Sequence, residues 1–430
     1  MAHQQPTPGA VAAIWHWVDR RIKTGDVFIL AALITLAPLF LTNNYQSAPR
    51  LLSLVFFPVV ALHWMVFRIS WRRWPALDVS ARFIFTFSVI LVAAFVYLLT
   101  INLSDWSQPG AVARVLDRQW RYAGQILVFM ACFAYAVRAW PEFLPRFVAA
   151  LSTLVAVSAL HNMIAYVPGI VVTSDMSSWR LVNTLGMPGY TNSTNISVIY
   201  ALLFVASAAV IVNSRLPSLL RYWLIPVALI LLGGVMLTQS RSAYIGIIVG
   251  LMLVLWLAPH AFRRAALLSF IAGIALGVMV LLALPQTRTV LAERGASYRP
   301  EIWSIYAGQA QQKPLLGYGG MSNIDIKLGD GTMIDQPHNL VLSAQIRGGI
   351  FCALAMITML LGSLYWSMRF LRLRGEVIPL AMIATVATAG LFDYNLLITP
   401  ITWPWVTFWL PFGICAGAEI VVRQCSQPPA

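Results

Sequence analysis

The sequence predicts an all-α, polytopic integral membrane protein with about twelve transmembrane helices and one large loop outside the hydrocarbon. Three observations carry that expectation. Hydrophobic side chains make up 59% of the 430 residues and charged ones only 10%. The mean hydropathy is +0.76. Apolar runs long enough to cross a bilayer recur from Phe28 almost to the carboxyl end. Soluble chains average about 25% charged residues, and no single globular core buries this much apolar surface, so a soluble protein is excluded.

The apolar runs and their polar interruptions set the spans in order. Six fall at 27–41, 51–67, 82–103, 122–137, 147–167 and 193–212, and six more at 222–238, 242–258, 265–284, 340–366, 377–392 and 401–422. The first follows Arg20, Arg21 and Lys23, with Gln46-Ser47-Ala48 as a weak cleavage lookalike; it is read as an uncleaved span rather than a signal peptide. Twelve spans put both termini on one side. That side collects 17 of the 29 basic and 6 of the 15 acidic residues, a net +11, against +3 on the other. Lys/Arg excess in short loops marks the cytoplasm, so both termini are expected there. Trp64, Trp71, Trp140, Trp179, Trp223 and Trp256 lie near expected span ends and read as an interfacial belt.

The formal charge of +14 is accounted for by this topology rather than by nucleic-acid binding, which would need a basic exposed domain. Cys132, Cys352, Cys415 and Cys425 lack CxxC spacing and read as packing residues. The whole of 1–430 is expected to form a single transmembrane domain. Its one unusual connection is the segment 285–338, about 54 residues on the side opposite the termini, with a short helix expected over Glu301–Gln312 between Pro300 and Pro314. Loops of that length usually carry function.

Positive residues on the outer side run against the orientation rule and need a reason other than topology. Arg180 follows Trp179, Arg241 sits in Gln239-Ser240-Arg241-Ser242 at the outer end of a span, and Arg299 lies in the long loop. An arginine fork grips phosphate oxygens bidentately and stays charged, which suits a pyrophosphate at a membrane surface; the bland alternative is an interfacial arginine meeting lipid phosphate. Of six histidines, only His338 belongs to the outer aqueous boundary, in Gln336-Pro337-His338-Asn339 where the loop re-enters the membrane. An imidazole there can accept a proton at neutral pH, or it can merely cap or pack.

Gly317-Tyr318-Gly319-Gly320 lacks the strand and Lys-Ser/Thr context of a phosphate loop and reads as a flexible turn. Gly246 with Gly250, and Gly273 with Gly277, have the spacing of close helix packing. Asp325, Asp330 and Asp335 fit no divalent-metal pattern, so a metal-independent mechanism with no cofactor is the default. Arg347, inside a span, is left outside the expected site; a structural bond to neighbouring carbonyls accounts for it as well as a functional role does.

Taken together, these outer-face pieces resemble the O-antigen ligase and polymerase superfamily of bacterial envelope enzymes. The resemblance runs from Arg180 with Gly186 and Asn192, through Gln239-Ser240-Arg241-Ser242, to Arg299 with Trp303, Pro314-Leu315-Leu316-Gly317-Tyr318-Gly319, and Pro337-His338-Asn339 before Gly348 and Gly349. Arg347 departs from it. The resemblance implies a C-type glycosyltransferase architecture in the bacterial inner membrane, with the active site facing the periplasm and the 285–338 loop forming part of it. The donor would be a glycan on undecaprenyl pyrophosphate and the acceptor a sugar hydroxyl of the lipid A core, with the lipid tails among the spans. His338 would be the base for inverting transfer, Arg180, Arg241 and Arg299 would hold the pyrophosphate, and Trp303 and Asn339 would give support. A ligase is the preferred reading. The alternatives are an O-antigen or exopolysaccharide polymerase, a protein O-oligosaccharyltransferase using the same kind of donor, and a polytopic transporter or flippase.

Overall fold

The computed structural model describes residues 25–42, 47–70, 89–106, 113–172, 181, 193–213, 217–257, 298–322, 324–393 and 397–425, and they are almost entirely helical. In chain order the helices are α1 (Asp26–Leu41), α2 (Ser47–Leu51), which passes through a π turn at Leu52–Phe56 into α3 (Phe57–Ser70), α4 (Val89–Trp106), α5 (Ala113–Ala139), α6 (Phe143–Val172), α7 (Ser193–Asn213), α8 (Ser218–Thr238) and α9 (Arg241–Leu257). There follow α10 (Arg299–Gln312), a two-stranded antiparallel ladder of β1 (Ile326–Lys327) and β2 (Met333–Ile334), α11 (Leu340–Arg374), α12 (Ile378–Gly390), and a π turn at Trp405–Trp409 leading into α13 (Leu410–Cys425).

Within the described residues, the expected spans coincide with these helices or with continuous runs of them; 82–88 of the third span and all of 265–284 lie outside the described residues. Among the described residues, seven helices are long and apolar enough to cross a membrane. The expected loop helix is present as α10, with Pro300 in its first turn. Arg138, Arg146 and Arg374, assigned by charge to one side, line a common cavity with Glu142 and Glu376.

The spans pack through aromatic interdigitation and through small residues. Phe28 of α1 meets Phe56, Phe133 and Phe143 edge-on at 5.2–5.5 Å. Trp140 joins this cluster at 5.9 Å from Phe28 and is buried, so it is a core residue and not part of an interfacial belt; its position one residue beyond the end of α5 is what made it look interfacial. Gly246 and Gly250 of α9 lie against Thr385 of α12, and a Cβ on Gly250 would come within 2.3 Å of the Thr385 hydroxyl. Their spacing therefore marks close packing, as expected. Cys132, Cys352 and Cys415 are buried, while Cys425 is exposed. Glu419 of α13 is fully buried, and one of its oxygens accepts from the Val89 N–H that opens α4 (3.0 Å) and from Arg423 Nε (2.8 Å).

The feature that positions the loop is a break in α11. At Gly349 the backbone turns to φ 68°, ψ −164°, a region essentially closed to residues with a Cβ. The ladder interrupted there is completed by the Pro314–Gly320 segment: Ile350 N–H donates to Pro314 O (2.8 Å), Tyr318 N–H to Ile346 O (2.7 Å) and Gly319 N–H to Arg347 O (2.8 Å). A Cβ on Gly349 would stand 1.9 Å from Leu315 O, and one on Gly317 would stand 2.4 Å from Ile346 O. The Gly317-Tyr318-Gly319-Gly320 stretch is thus a docked strap whose glycines permit backbone-to-backbone approach, not the flexible turn that its composition suggests. The other side of the strap rests on α4, where Ser104 Oγ donates to Leu316 O and Asp105 Oδ1 accepts from Met321 N–H (3.2 Å).

The Gly349→Ala variant should accordingly lose about 3 kcal/mol of stability from strain and collision together. Gly308→Ala, on α10 with nothing within 4 Å of the added carbon, should be neutral or slightly stabilising. Thermal unfolding of the two purified variants in the same detergent measures the difference.

Candidate active site

Three of the expected site residues stand at helix starts. Arg241 is the first residue of α9, Arg299 the first of α10, and His338 and Asn339 immediately precede α11. A helix start presents unpaired N–H groups and the positive end of the macrodipole, which together attract anions.

The His338 turn is held from several sides. His338 adopts φ 50°, the left-handed region, rare for a residue with a side chain and worth about 1 kcal/mol of strain or more. The Asn339 side chain caps α11 by accepting from Leu342 N–H (2.9 Å), and its amide donates to Leu391 O at the end of α12 (3.1 Å). Trp303 Nε1 donates to Pro337 O (3.0 Å), and the Trp303 ring lies 6.2 Å from that of Phe392. Asn339 and Trp303 therefore tie the 337–339 turn to the 391–393 turn.

That tie sets the central contact. His338 Nδ1 is 2.9 Å from Asp393 Oδ1; the imidazole is 23% exposed and the carboxylate 7%. An ionised carboxylate can only accept, so Nδ1–H is the donor, and in the neutral imidazole the lone pair lies on Nε2. An orienting carboxylate behind one ring nitrogen and a free lone pair on the other is the arrangement a general base requires.

The cations stand beside this pair. The Arg299 guanidinium lies 5.9 Å from the Phe392 ring centroid, over the residue that precedes Asp393. Its pKa is lowered from the usual arginine value, chiefly by burial; the Asp393 charge opposes the shift and the nearby Arg241 charge adds to it. Arg241, Arg299, Asp393 and His338 therefore share one electrostatic neighbourhood. Arg180 lies outside the described residues. Its neighbour Leu181 is buried and donates its N–H to Leu237 O (3.0 Å) at the end of α8.

Asp393 is the member that sequence reasoning missed. It lies 55 residues from His338, at the outer end of an apolar run. Its only signal in the sequence is that of an isolated acid beside a span end on the side that holds His338. Glu301, an acid of the same loop, instead accepts from Gly329 N–H (3.1 Å) and braces the β-ladder region.

Residues 226–357 match the family model described as O-antigen ligase. That stretch includes Arg241, Arg299, Trp303, His338 and Asn339 but stops before Asp393. The chain is 28% identical over 198 residues to an O-antigen ligase of Pseudomonas aeruginosa, covering 46% of this chain and 48% of that protein. It is 23% identical over 195 residues to a protein of Rickettsia conorii whose name describes a polysaccharide ligase, covering 41% of this chain and 46% of the relative. The chain thus spans about half the length of the curated relatives it matches.

If the paired guanidiniums at helix starts form an anion site, inorganic pyrophosphate should bind to the purified protein. Arg241→Lys and Arg299→Lys keep the charge but lose the fork, and each should weaken binding by about ten-fold. His338→Ala, which removes neither guanidinium, should leave it within a factor of about two. Isothermal titration in detergent reads all three.

Proposed function

We propose that this chain, a member of the O-antigen ligase superfamily by its 226–357 segment, transfers a glycan from undecaprenyl pyrophosphate to a sugar hydroxyl of the lipid A core at the periplasmic face of the bacterial inner membrane. The observation that carries this reading is the His338–Asp393 pair set beside Arg299 and Arg241 at three helix starts. It combines a base and an anion clamp in one neighbourhood, as glycosyl transfer from a pyrophosphate requires.

In the proposed reaction Nε2 of His338 takes the proton of the acceptor hydroxyl as its oxygen attacks the anomeric carbon. The bond from that carbon to the pyrophosphate oxygen breaks on the opposite face, so the anomeric configuration inverts. Asp393 holds the imidazole in the tautomer with the proton on Nδ1 and stabilises the imidazolium that forms. Arg299 and Arg241, with Arg180 from the adjoining segment, neutralise the charge that grows on the departing pyrophosphate. Trp303 and Asn339 fix the turn that bears the base. The polyprenyl and lipid A tails lie among the spans, the termini are cytoplasmic, and the 285–338 loop closes over the sugars.

Reconstitution with purified undecaprenyl-linked glycan and lipid A core tests the proposal directly: a lengthened lipid A core supports a ligase, whereas a lengthened lipid-linked glycan replaces it with a polymerase. In that assay His338→Ala should lower kcat by about 10²–10⁴-fold, the usual contribution of a general base. Asp393→Asn should cost about 10²-fold or more by destabilising the working tautomer. Full activity in the His338→Ala variant would end the assignment.

A further inference from the structure

The strap that completes the broken helix is gripped at one peptide bond by two buried, oppositely charged side chains. Arg347 Nη1 donates to the carbonyl of Gly320 (2.7 Å), and Asp105 Oδ1 accepts from the N–H of Met321 (3.2 Å). Carbonyl and N–H belong to the same peptide unit. Arg347 is 6% exposed and Asp105 3%, and both sit on helices apolar enough to span a membrane, where ionisable groups are costly. The peptide dipole is aligned between them, its oxygen toward the guanidinium and its hydrogen toward the carboxylate. A flipped peptide would oppose both charges, so the pair fixes the orientation as well as the place of this link.

The strap has little room to yield. A Cβ on Gly320 would come within 2.5 Å of Ile101 Cγ2 on α4 and 3.1 Å of Gln119 Oε1 on α5. Its upstream end continues from α10, which starts at Arg299, and its backbone is bonded to Ile346 and Arg347, on the short segment of α11 that starts after His338. The gripped peptide therefore lies on the path that sets the distance between the anion clamp and the base.

We propose that Arg347 and Asp105 are positioning residues for the transfer reaction: by clamping the Gly320–Met321 peptide they hold the Arg299 helix and the His338 turn in working register. Neither needs to touch substrate. This assignment rests on the reading of His338 and Arg299 given above, and it assigns Arg347 a part that its position outside the site had not suggested.

The test uses the full-length protein and the reconstituted assay. Arg347→Met and Asp105→Leu should each lower kcat at least 30-fold while leaving the donor KM and inorganic pyrophosphate affinity within three-fold. The double variant should be no slower than the slower single one, since both release the same peptide. Arg347→Lys and Asp105→Asn, each keeping a bonding partner, should lose only about five-fold in kcat. Hydrogen exchange in peptides covering 314–321 should quicken at least ten-fold in the Met and Leu variants.

Unchanged kcat in either of those variants, or a fall in pyrophosphate affinity that parallels kcat, would overturn the proposal. If the Met and Leu variants do not fold, the conservative pair decides: wild-type kcat in both sinks it, and a loss confined to kcat sustains it. The exchange measurement separates this idea from the functional reading. Faster exchange in a protein whose unsubstituted form transfers no glycan would leave the clamp and remove the function, whereas unchanged exchange removes the clamp alone.

Discussion

A backbone N–H or carbonyl left unpaired within hydrocarbon costs several kcal/mol, so a membrane helix breaks only where another part of the chain supplies the missing partners. The break at Gly349 is such a place, and much of the described loop is organised around it. The Pro314–Gly320 strap gives its N–H and carbonyl groups to residues 346–350 at distances of 2.7–2.8 Å. That requirement explains the glycines at 317 and 349, where a side chain would hold the two backbones apart, while Gly320 and Gly348 leave room for neighbouring side chains such as Ile101. It also explains how an aqueous loop is bound to the membrane domain through main-chain bonds, which depend less on side-chain identity than side-chain contacts do.

The same arrangement concentrates polarity at one end of an otherwise apolar molecule. Three helix starts contribute to that end, and the half-buried Arg299 guanidinium has the Asp393 charge opposing the burial that lowers its pKa. Asp393 in turn orients His338. One largely buried carboxylate thus faces both a cation and an imidazole, and without them it would be left as a poorly compensated charge.

Much of the helical framework was legible in the sequence because hydrophobic length is a direct requirement of the bilayer, and expected spans such as 193–212 and 222–238 match α7 and α8 to within a few residues. Arg241, Arg299 and His338 stood out for a related reason, since polar groups are conspicuous on a nearly charge-free chain, and the structure sets them in one electrostatic neighbourhood. What was not legible depended on contacts between distant segments. Asp393 carries no motif and acquires its place only when Asn339 bonds to Leu391. Trp140 looked interfacial from its position beyond a helix end but is enclosed by Phe28 and Tyr135. Composition gave the Gly317–Gly320 stretch freedom that its backbone bonds remove, and Arg347 was read without the strap carbonyl that receives it.

The bond from Val89 to Glu419 acquires a further meaning once the strap is considered. α4 is fastened at its first residue to α13 and near its last, through Ser104 and Asp105, to the strap. With 18 residues at 1.5 Å each it behaves as a strut of about 27 Å with both ends fixed. Such a strut cannot relieve a mismatch with bilayer thickness by sliding or tilting on its own. A thicker or thinner membrane must instead pucker around it, so the surrounding lipid, rather than the end of the protein that bears the strap, absorbs the deformation.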